Sequence, residues 1–468
     1  MKRKDPAGPP RRAPVPPSSR QRRRPRGAAR LAAFPPWAGR NYRLLVSASF
    51  ITNIGNSGAL IAAAYAVIES GGSATDVGLV AAARTLAMVV FLLVGGALAD
   101  RVPRQRVMVG ANSVNALSQG LFALLVLTGS PPLWQMAALT GIGGAAHAFF
   151  SPASEGMVLS TVETAHAGKA FSVYRLSMNG ATIGGAGLGG ALVAAFGPGW
   201  VLAIDAAGFV LAASLRSRLA VAAADRPDRS GKPGGILGDL REGWREFVSR
   251  PWLWGIVVQF GVVNGMLGAS ESVYGPLVSR EHLGGAGPWG IALAVGGVGT
   301  VCGGLVMLRW RPRRMLLSGT LGVFPMALPA VALALALPLW LLSLSMFAAG
   351  VGIEVFAVGW MLALHQEIPE EKMSRVSAYD WLGSVAMMPL AMALAGPAAD
   401  AFGRTEALWG SSALIVVLTA AVLLLPDVRR LERAHPAVRT VAAGTAAAGQ
   451  PTVKAPSGGA GEGVAEAS

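Results

Sequence analysis

"GGALADRVPRQR", residues 95–106, interrupts apolar sequence on both sides with one acid and three arginines before the chain turns apolar again at Val107. In water such a segment would be an ordinary helix end and basic loop, so the solvent around the rest of the chain decides its meaning. Of the 468 residues, 53% are hydrophobic and only 14% charged, with mean hydropathy +0.50; soluble domains carry about 25% charged residues. From about Leu44 to Pro426 the chain is a succession of apolar runs. Each has the roughly 20 residues needed to cross about 30 Å of hydrocarbon at about 1.5 Å per residue. Twelve such runs are expected.

The formal charge of +15 sits at the ends and in short loops. Residues 1–40, rich in Arg and Pro and without an apolar core that would mark a cleavable signal, predict a disordered basic tail. Anionic lipid is its candidate partner, and nucleic acid is not expected. Residues 431–468 predict a second disordered tail. The single cysteine, Cys302, lies inside an apolar run, which excludes disulfides and Cys-based metal sites.

Lysine and arginine gather in loops that face the cytoplasm. With the N-terminus inside, the inner loops hold Arg101, Arg104 and Arg106, Lys169, then Arg241, Arg245 and Arg250, Arg309 to Arg314, Lys372 and Arg375, and Arg429 to Arg433. Outer connections such as "ESGGSA" (69–74) and "FGPGW" (196–200) hold none. Only Arg280 and Arg404 break the rule. Both termini therefore read as cytoplasmic, in a bacterial inner membrane.

The long polar interruption at 217–250 divides the chain into a six-span half at 41–216 and another at 251–430. Within it, Leu237, Leu240, Trp244 and Phe247 lie opposite Asp239, Arg241, Glu242 and Arg245, an amphipathic helix on the inner leaflet. The halves repeat one another. "RVPRQRVMV" recurs as "RWRPRRMLL" with Pro312 − Pro103 = 209, "FSVYRL" as "VSAYDWL" with Tyr379 − Tyr174 = 205, and "AAFG" (194–197) as "DAFG" (400–403). The expected fold is an all-α integral membrane protein, twelve transmembrane helices in two pseudo-symmetric halves around an interfacial cavity.

At these residues the chain resembles a known family. Gly96-x-Leu98-Ala99-Asp100-Arg101-x-x-Arg104 resembles the loop signature between the second and third helices of the major facilitator superfamily. In that family the acid faces the start of the eleventh helix, here near Met373, and locks the inner gate. "NYRLLVSASFITNIGN", "SPASEGMVLSTVE", "AIDAAGFVLAASL" and "EIPEEKMSRVSAYD" are similar to its drug-efflux and siderophore-export branch. The resemblance implies secondary transport by alternating access, with a small amphipathic substrate exported against inward proton movement. The chain departs from the pattern at Pro103, where the family has Gly, and at Gln105, where it has Lys or Arg. It departs again at Asn56, usually a carboxylate, and at Ala186, usually the Pro of a motif tied to antiport. An amide cannot take up a proton, so a facilitator without proton coupling stays open, as does a transport-inactive sensor or scaffold.

Ionisable residues within spans cost at least about 2.5 kcal/mol and need a partner or a wet cavity. Glu354 and Glu271 are accordingly the proton-coupling candidates, with Arg84 as a countercharge and Asp205 as a further carboxylate; His147 is a weaker candidate. Each would otherwise only bond a neighbouring helix. Asn53, Asn56, Asn264, Trp360 and His365 are candidates for the cavity wall. "GAGLGG" (185–190) fits G-x-G-x-x-G, yet it lies inside a span rather than between a strand and a helix. Gly185, Gly189 and Gly190 read as helix-packing residues. No Ser-His-Asp set, HExxH or P-loop is present. No enzyme activity, metal or cofactor is expected, and the protein is expected to be a monomer.

Overall fold

The computed structural model describes residues 35–99, 102–220, 236–310 and 312–433, all helical or connecting, with no β-strand among them. The first half comprises α1 (Arg40–Glu69), α2 (Ala74–Ala99), α3 (Arg104–Thr128), α4 (Leu133–Ser160), α5 (Ala167–Phe196) and α6 (Pro198–Ser217). After the surface helix α7 (Ile236–Val248), the second half follows. Its seventh span is α8 (Pro251–Ala269) and α9 (Gly275–Val278), with π-helical turns at Ser270–Tyr274 and Ser279–Leu283. Next come α10 (Ala286–Arg309), the broken span α11 (Met315–Leu321) and α12 (Leu328–Ala334), and α13 (Leu339–Glu367). A second broken span, α14 (Glu370–Val385) with α15 (Met387–Phe402), precedes α16 (Arg404–Leu423) and the short α17 (Pro426–Arg430).

Ten of these segments are long and apolar enough to cross a membrane. The 28-residue α4 and 30-residue α5 have the length and pack among the ten, α4 on α2 and α3, α5 on α1 and α10. That gives twelve long helical segments among the described residues. Large exposed apolar side chains such as Leu117, Leu176 and Leu308 cover the outside of the bundle, as a lipid-facing surface requires. Trp134, Trp200, Trp340 and Trp409 are exposed near the ends of their helices on one face, a belt at membrane-interface depth.

The two halves repeat in backbone as in sequence. Gly197 (φ +84) and Gly403 (φ +95) both close a helix in the left-handed region, by N–H bonds to Val193 and Ala399, and both launch the next helix one residue later. A side chain is strained at this φ, so "FG" marks one corner twice.

The face carrying the start of α1, α7 and α17 is here the terminal face, and the opposite one the distal face. Three cores divide the molecule unevenly between them. One core joins both halves at the distal side, with Tyr65, Ile68 and Val77 of the first half packed near Val273, Tyr274 and Trp289 of the second. At the terminal side, one core stays within the first half around Tyr42, Met108 and Met157. Another stays within the second, around Leu253, Phe356 and Leu364. The bundle is sealed distally, and its described cores separate toward the terminal face.

Several expectations change at the borders of the halves. The ordered chain begins before residue 41: Ala38 is buried and Trp37 stacks on His166 with ring centroids 5.8 Å apart. At the far end, Glu432 accepts from Gln366 at 2.9 Å and the Arg433 amide donates to Arg313, so order continues past 430. The remainder of both expected tails, residues 1–34 and 434–468, lies outside the described residues, as does 221–235 of the linker. Helix α7 does more than lie on a leaflet. Phe247 is buried in the second half's core, and Trp244 and Phe247 surround Tyr379 of α14.

Candidate functional site

Glycine lets the first-half helices approach closely enough to form a central wall. A Cβ at Gly185 would collide with Ile54 of α1, one at Gly189 with Gly58 of α1, and one at Gly190 with Ala286 and Gly290 of α10. The G-x-G-x-x-G match is thus a backbone contact surface on two sides of α5. Distally, Gly78 lies against the Met392 carbonyl and Gly396 against Thr75, which brings α2 onto α15. Tyr65 donates to the Pro276 carbonyl at 3.2 Å, and Arg280 to the Ile68 carbonyl at 2.7 Å. Arg404 forms a bidentate pair with Glu281. The two arginines that broke the charge rule therefore have partners of their own at the distal face.

Between this seal and the terminal opening lies a cavity of about 600 Å³, walled by α1 to α5 of one half, α3 through Gln119 alone, and chiefly by α8, α10, α13 and α15 of the other. Its wall is mostly apolar, with Trp289, Leu293, Ile183 and five methionines: Met88, Met326, Met346, Met388 and Met392. Unbranched thioethers adapt to ligands of different shape. The polar groups are the minority: Asn56, Ser57, Arg84, Thr85, Gln119, Thr140, His147, Thr182, Asn264, Glu271, Ser272 and Thr300. An apolar cavity with sparse polar groups is the usual form of a small-molecule site.

Arg84 donates Nη2–H to Asn56 Oδ1 at 2.6 Å. Its charged or titratable neighbours include Asp205 of α6 and His147 of α4, and it shares the cavity wall with Glu271, whereas Glu354 lies off that wall. Asp205 is 1% exposed, and neither carboxylate oxygen has a hydrogen-bond partner among the described residues. It sits behind the wall, in the space left by the missing side chain of Gly55. Glu271 stands in the first π-helical turn of the seventh span and lines the cavity. The regular helix ends two residues before it, at Ala269, and five residues after it Pro276 lacks an N–H. Such turns re-aim side chains and recur at functional sites.

Other expected site residues lie elsewhere. Glu354 is off the cavity wall, beside Gly303 and Gly304 of α10, with its charge facing Arg175 of α5. Trp360 donates to Asp380 of α14 at 3.1 Å and packs against Trp252 and Phe356, so it belongs to the second half's core. His365 is exposed near the end of α13, its Nδ1 2.8 Å from the Met361 carbonyl. Helix α13 is apolar all round, so its sequence carries no stripe that tells cavity from core. Asn53 gives its Nδ2 hydrogens to the Met178 carbonyl and Thr182 Oγ1 of α5, both at 2.8 Å. Asn264 lines the cavity and donates to the Ser384 carbonyl at 2.9 Å.

Of the loop signature, Asp100 and Arg101 lie outside the described residues, Gly96 is in the last turns of α2, and Arg104 opens α3 after Pro103. Gln105, one of the departures from the resembled pattern, donates to the last two carbonyls of α6, Arg216 and Ser217, and to Leu219 just beyond, at 2.9 to 3.2 Å. Residues passed over in the sequence are Gln119, Thr140, Thr300 and the methionines. Their polar or soft character on an otherwise apolar helix was the available signal.

A family model described as Major Facilitator Superfamily matches residues 45–388. The Multidrug efflux pump Tap of Mycolicibacterium fortuitum is 29% identical over 408 residues, 84% of this chain and 97% of that protein. The pump of the same name from Mycobacterium tuberculosis (strain ATCC 25618 / H37Rv) is 26% identical, covering 84% of this chain and 94% of its own. Among solved structures, a mutant of the nucleoside transporter NupG superposes with TM-score 0.69 at 13% identity, over 82% of this chain and 99% of that one. A bacterial homologue of the lysosomal transporter Spinster, inward-facing and unoccupied, superposes with TM-score 0.65 at 15% identity, over 86% and 100%.

Proposed function

The chain belongs to the Major Facilitator Superfamily, is therefore a secondary transporter, and from that premise we propose that it exports small amphipathic compounds in exchange for protons. The observation that carries this reading is the mostly apolar cavity between the halves, with Glu271 the one carboxylate among its described lining residues. The name shared by the relatives, multidrug efflux pump, supports the direction of transport. The methionine-rich wall supports a tolerant substrate range.

The two six-helix units, 41–216 and 251–430 with the short extensions described above, rock about the cavity. With the terminal face toward the cytoplasm, as the basic loops require, the distal seal makes this an inward-facing state. Glu271 exchanges a proton with whichever side has access, because an ionised carboxylate in an apolar wall needs water or a countercharge. Arg84, held by Asn56, supplies fixed positive charge to the same chamber. The protein resides in the bacterial inner membrane with both ends cytoplasmic and works as a monomer, its basic tail available to anionic lipid.

A second reading, facilitation without protons, draws on Asn56, which is bound to Arg84 where relatives of the resembled branch carry an acid. Efflux of a fluorescent amphipathic dye from energised cells, with and without a protonophore, separates the two. Proton exchange requires protonophore-sensitive efflux that Glu271→Gln abolishes and Glu354→Gln leaves largely intact. Efflux untouched by both the protonophore and Glu271→Gln sinks coupling and leaves the facilitator.

A further inference from the structure

Behind the chamber, toward the terminal face and wholly within the first half, lies a separate recess of about 200 Å³. It shares Asn56 and His147 with the chamber wall. Its chemistry is the reverse of the chamber's, since Asn53, Asn112, Asn115 and Asn179 line it together with Ser154, Tyr174 and Arg175. Among the described lining residues there is no carboxylate.

Five amides converging inside a membrane bundle, Asn56 with its bond from Arg84 included, call for an account of their hydrogen bonds. Asn53 and Asn115 donate to backbone carbonyls, and Ser154 and Tyr174 bond one another at 3.0 Å. The Asn53 bond ties α1 to α5 and the Ser154–Tyr174 bond ties α4 to α5, while the Asn115 bond, to Ala111, stays within α3. Asn112 differs: it is 1% exposed, and its Nδ2 has no partner among the described residues. A buried amide donor left unpaired costs about 1–3 kcal/mol, and Asn112 lines the recess. At the rim, Arg175 and Asn179 stand one turn apart on α5, both exposed. Glu354 of α13 faces Arg175 from outside the recess, and a second arginine stands behind its wall. Arg216, fully buried, bonds Ser49 at 2.9 Å and lies 4.5 Å from the Phe150 ring centroid, and both Ser49 and Phe150 line the recess.

We propose that the recess is a second substrate subsite, which takes the acceptor-rich head of an amphipathic molecule, hydroxyl or carboxylate oxygens, while its apolar body occupies the chamber. Asn112 and Asn179 donate to the head, and Arg175 adds charge at the rim. The inference rests on the chamber being the substrate site. It narrows the cargo from any small amphipath to one with an oxygen-rich, non-cationic end.

The test uses three ligands with one aromatic body: naphthyl β-glucoside, naphthylacetate and headless ethylnaphthalene. Their affinities are measured by calorimetry on the full-length protein in nanodiscs. At least one headed ligand binds about tenfold more tightly than ethylnaphthalene, and Asn112→Leu and Asn179→Leu each remove most of that advantage without weakening ethylnaphthalene. Asn179 is exposed, so its variant keeps the test valid if Asn112→Leu does not fold. A glucoside advantage indifferent to Arg175→Gln identifies a neutral hydroxyl head, and an acetate advantage lost in Arg175→Gln an anionic one. Three affinities within about twofold in the wild type, or an advantage that survives both asparagine variants, overturn the subsite and leave the chamber standing. If none of the three binds, the chamber reading falls and the subsite with it.

Discussion

Arg84 of α2 and Asp205 of α6 act on one another across α1, the arginine anchored by Asn56 at 2.6 Å and the carboxylate buried without a hydrogen bond of its own. The Asp205 carboxylate packs against Gly55 of α1, where a Cβ would strike it. Removing one member of a buried pair leaves the other uncompensated, at about 3–5 kcal/mol, whereas replacing both with apolar groups can be neutral. Arg84→Leu should therefore lower the thermal unfolding midpoint in detergent strongly, and Arg84→Leu with Asp205→Leu should recover much of the loss. Additive losses in the double variant would show that the two charges are not coupled.

Gly197 and Gly403 occupy equivalent corners at φ +84 and +95. An alanine in this region costs about 1 kcal/mol or more. Gly197→Ala has open space for its methyl group, while at Gly403 a Cβ also meets the Glu406 carboxylate. The loss should accordingly be larger for Gly403→Ala. Thermal unfolding of the two variants checks the order, and equal or absent losses would remove the strain argument.

This pair also shows what was legible in the chain. The spans, the sided arginines and the doubled "FG" corner follow from period, charge and glycine, which act locally. The site is less legible because its partners lie far apart in sequence. Arg84 sits 121 positions before Asp205 (205 − 84), and nothing in either span names the other. Trp360 and His365 lie away from the cavity, and α13, apolar on every side apart from Glu354 and its last turn, gives no rotational cue to this. Glu271 was visible as a charge in a span, but the π-helical turn that aims it depends on packing and on Pro276.

Distal closure rests on bare backbone contact at Gly290, where a Cβ would meet the Ala186 carbonyl at 2.5 Å and Gly190 Cα at 2.8 Å. Gly290→Val should hold α5 and α10 apart and shift the population toward the outward-facing state. Cys302 is the only cysteine, so a Cys302→Ala background permits clean labelling. In that background, Val77→Cys, 1% exposed in the seal, should react with a membrane-impermeant maleimide several-fold faster when Gly290→Val is added. An unchanged rate would mean that the seal does not depend on this contact.

Helix α7 is fastened to the start of the eleventh span by Glu246, which accepts from Lys372 at 2.8 Å and pairs with Arg250 at 2.9 Å. The Lys372 hydrogen bond, then the Arg250 charge, hold its carboxyl below the ordinary 4.5 against partial burial. A carboxyl depressed in the folded state adds stability above its unfolded value, and that stability disappears as pH falls through the folded value. The contribution is therefore constant near neutral pH and lost below about pH 4.5. Partly exposed pairs of this kind contribute about 0.2–1 kcal/mol each. Glu246→Gln should lower the unfolding midpoint slightly at pH 7, and the gap from wild type should close as the pH is taken below 4.5. A gap that persists at low pH would assign the loss to packing around Phe247 and Tyr379 instead of charge.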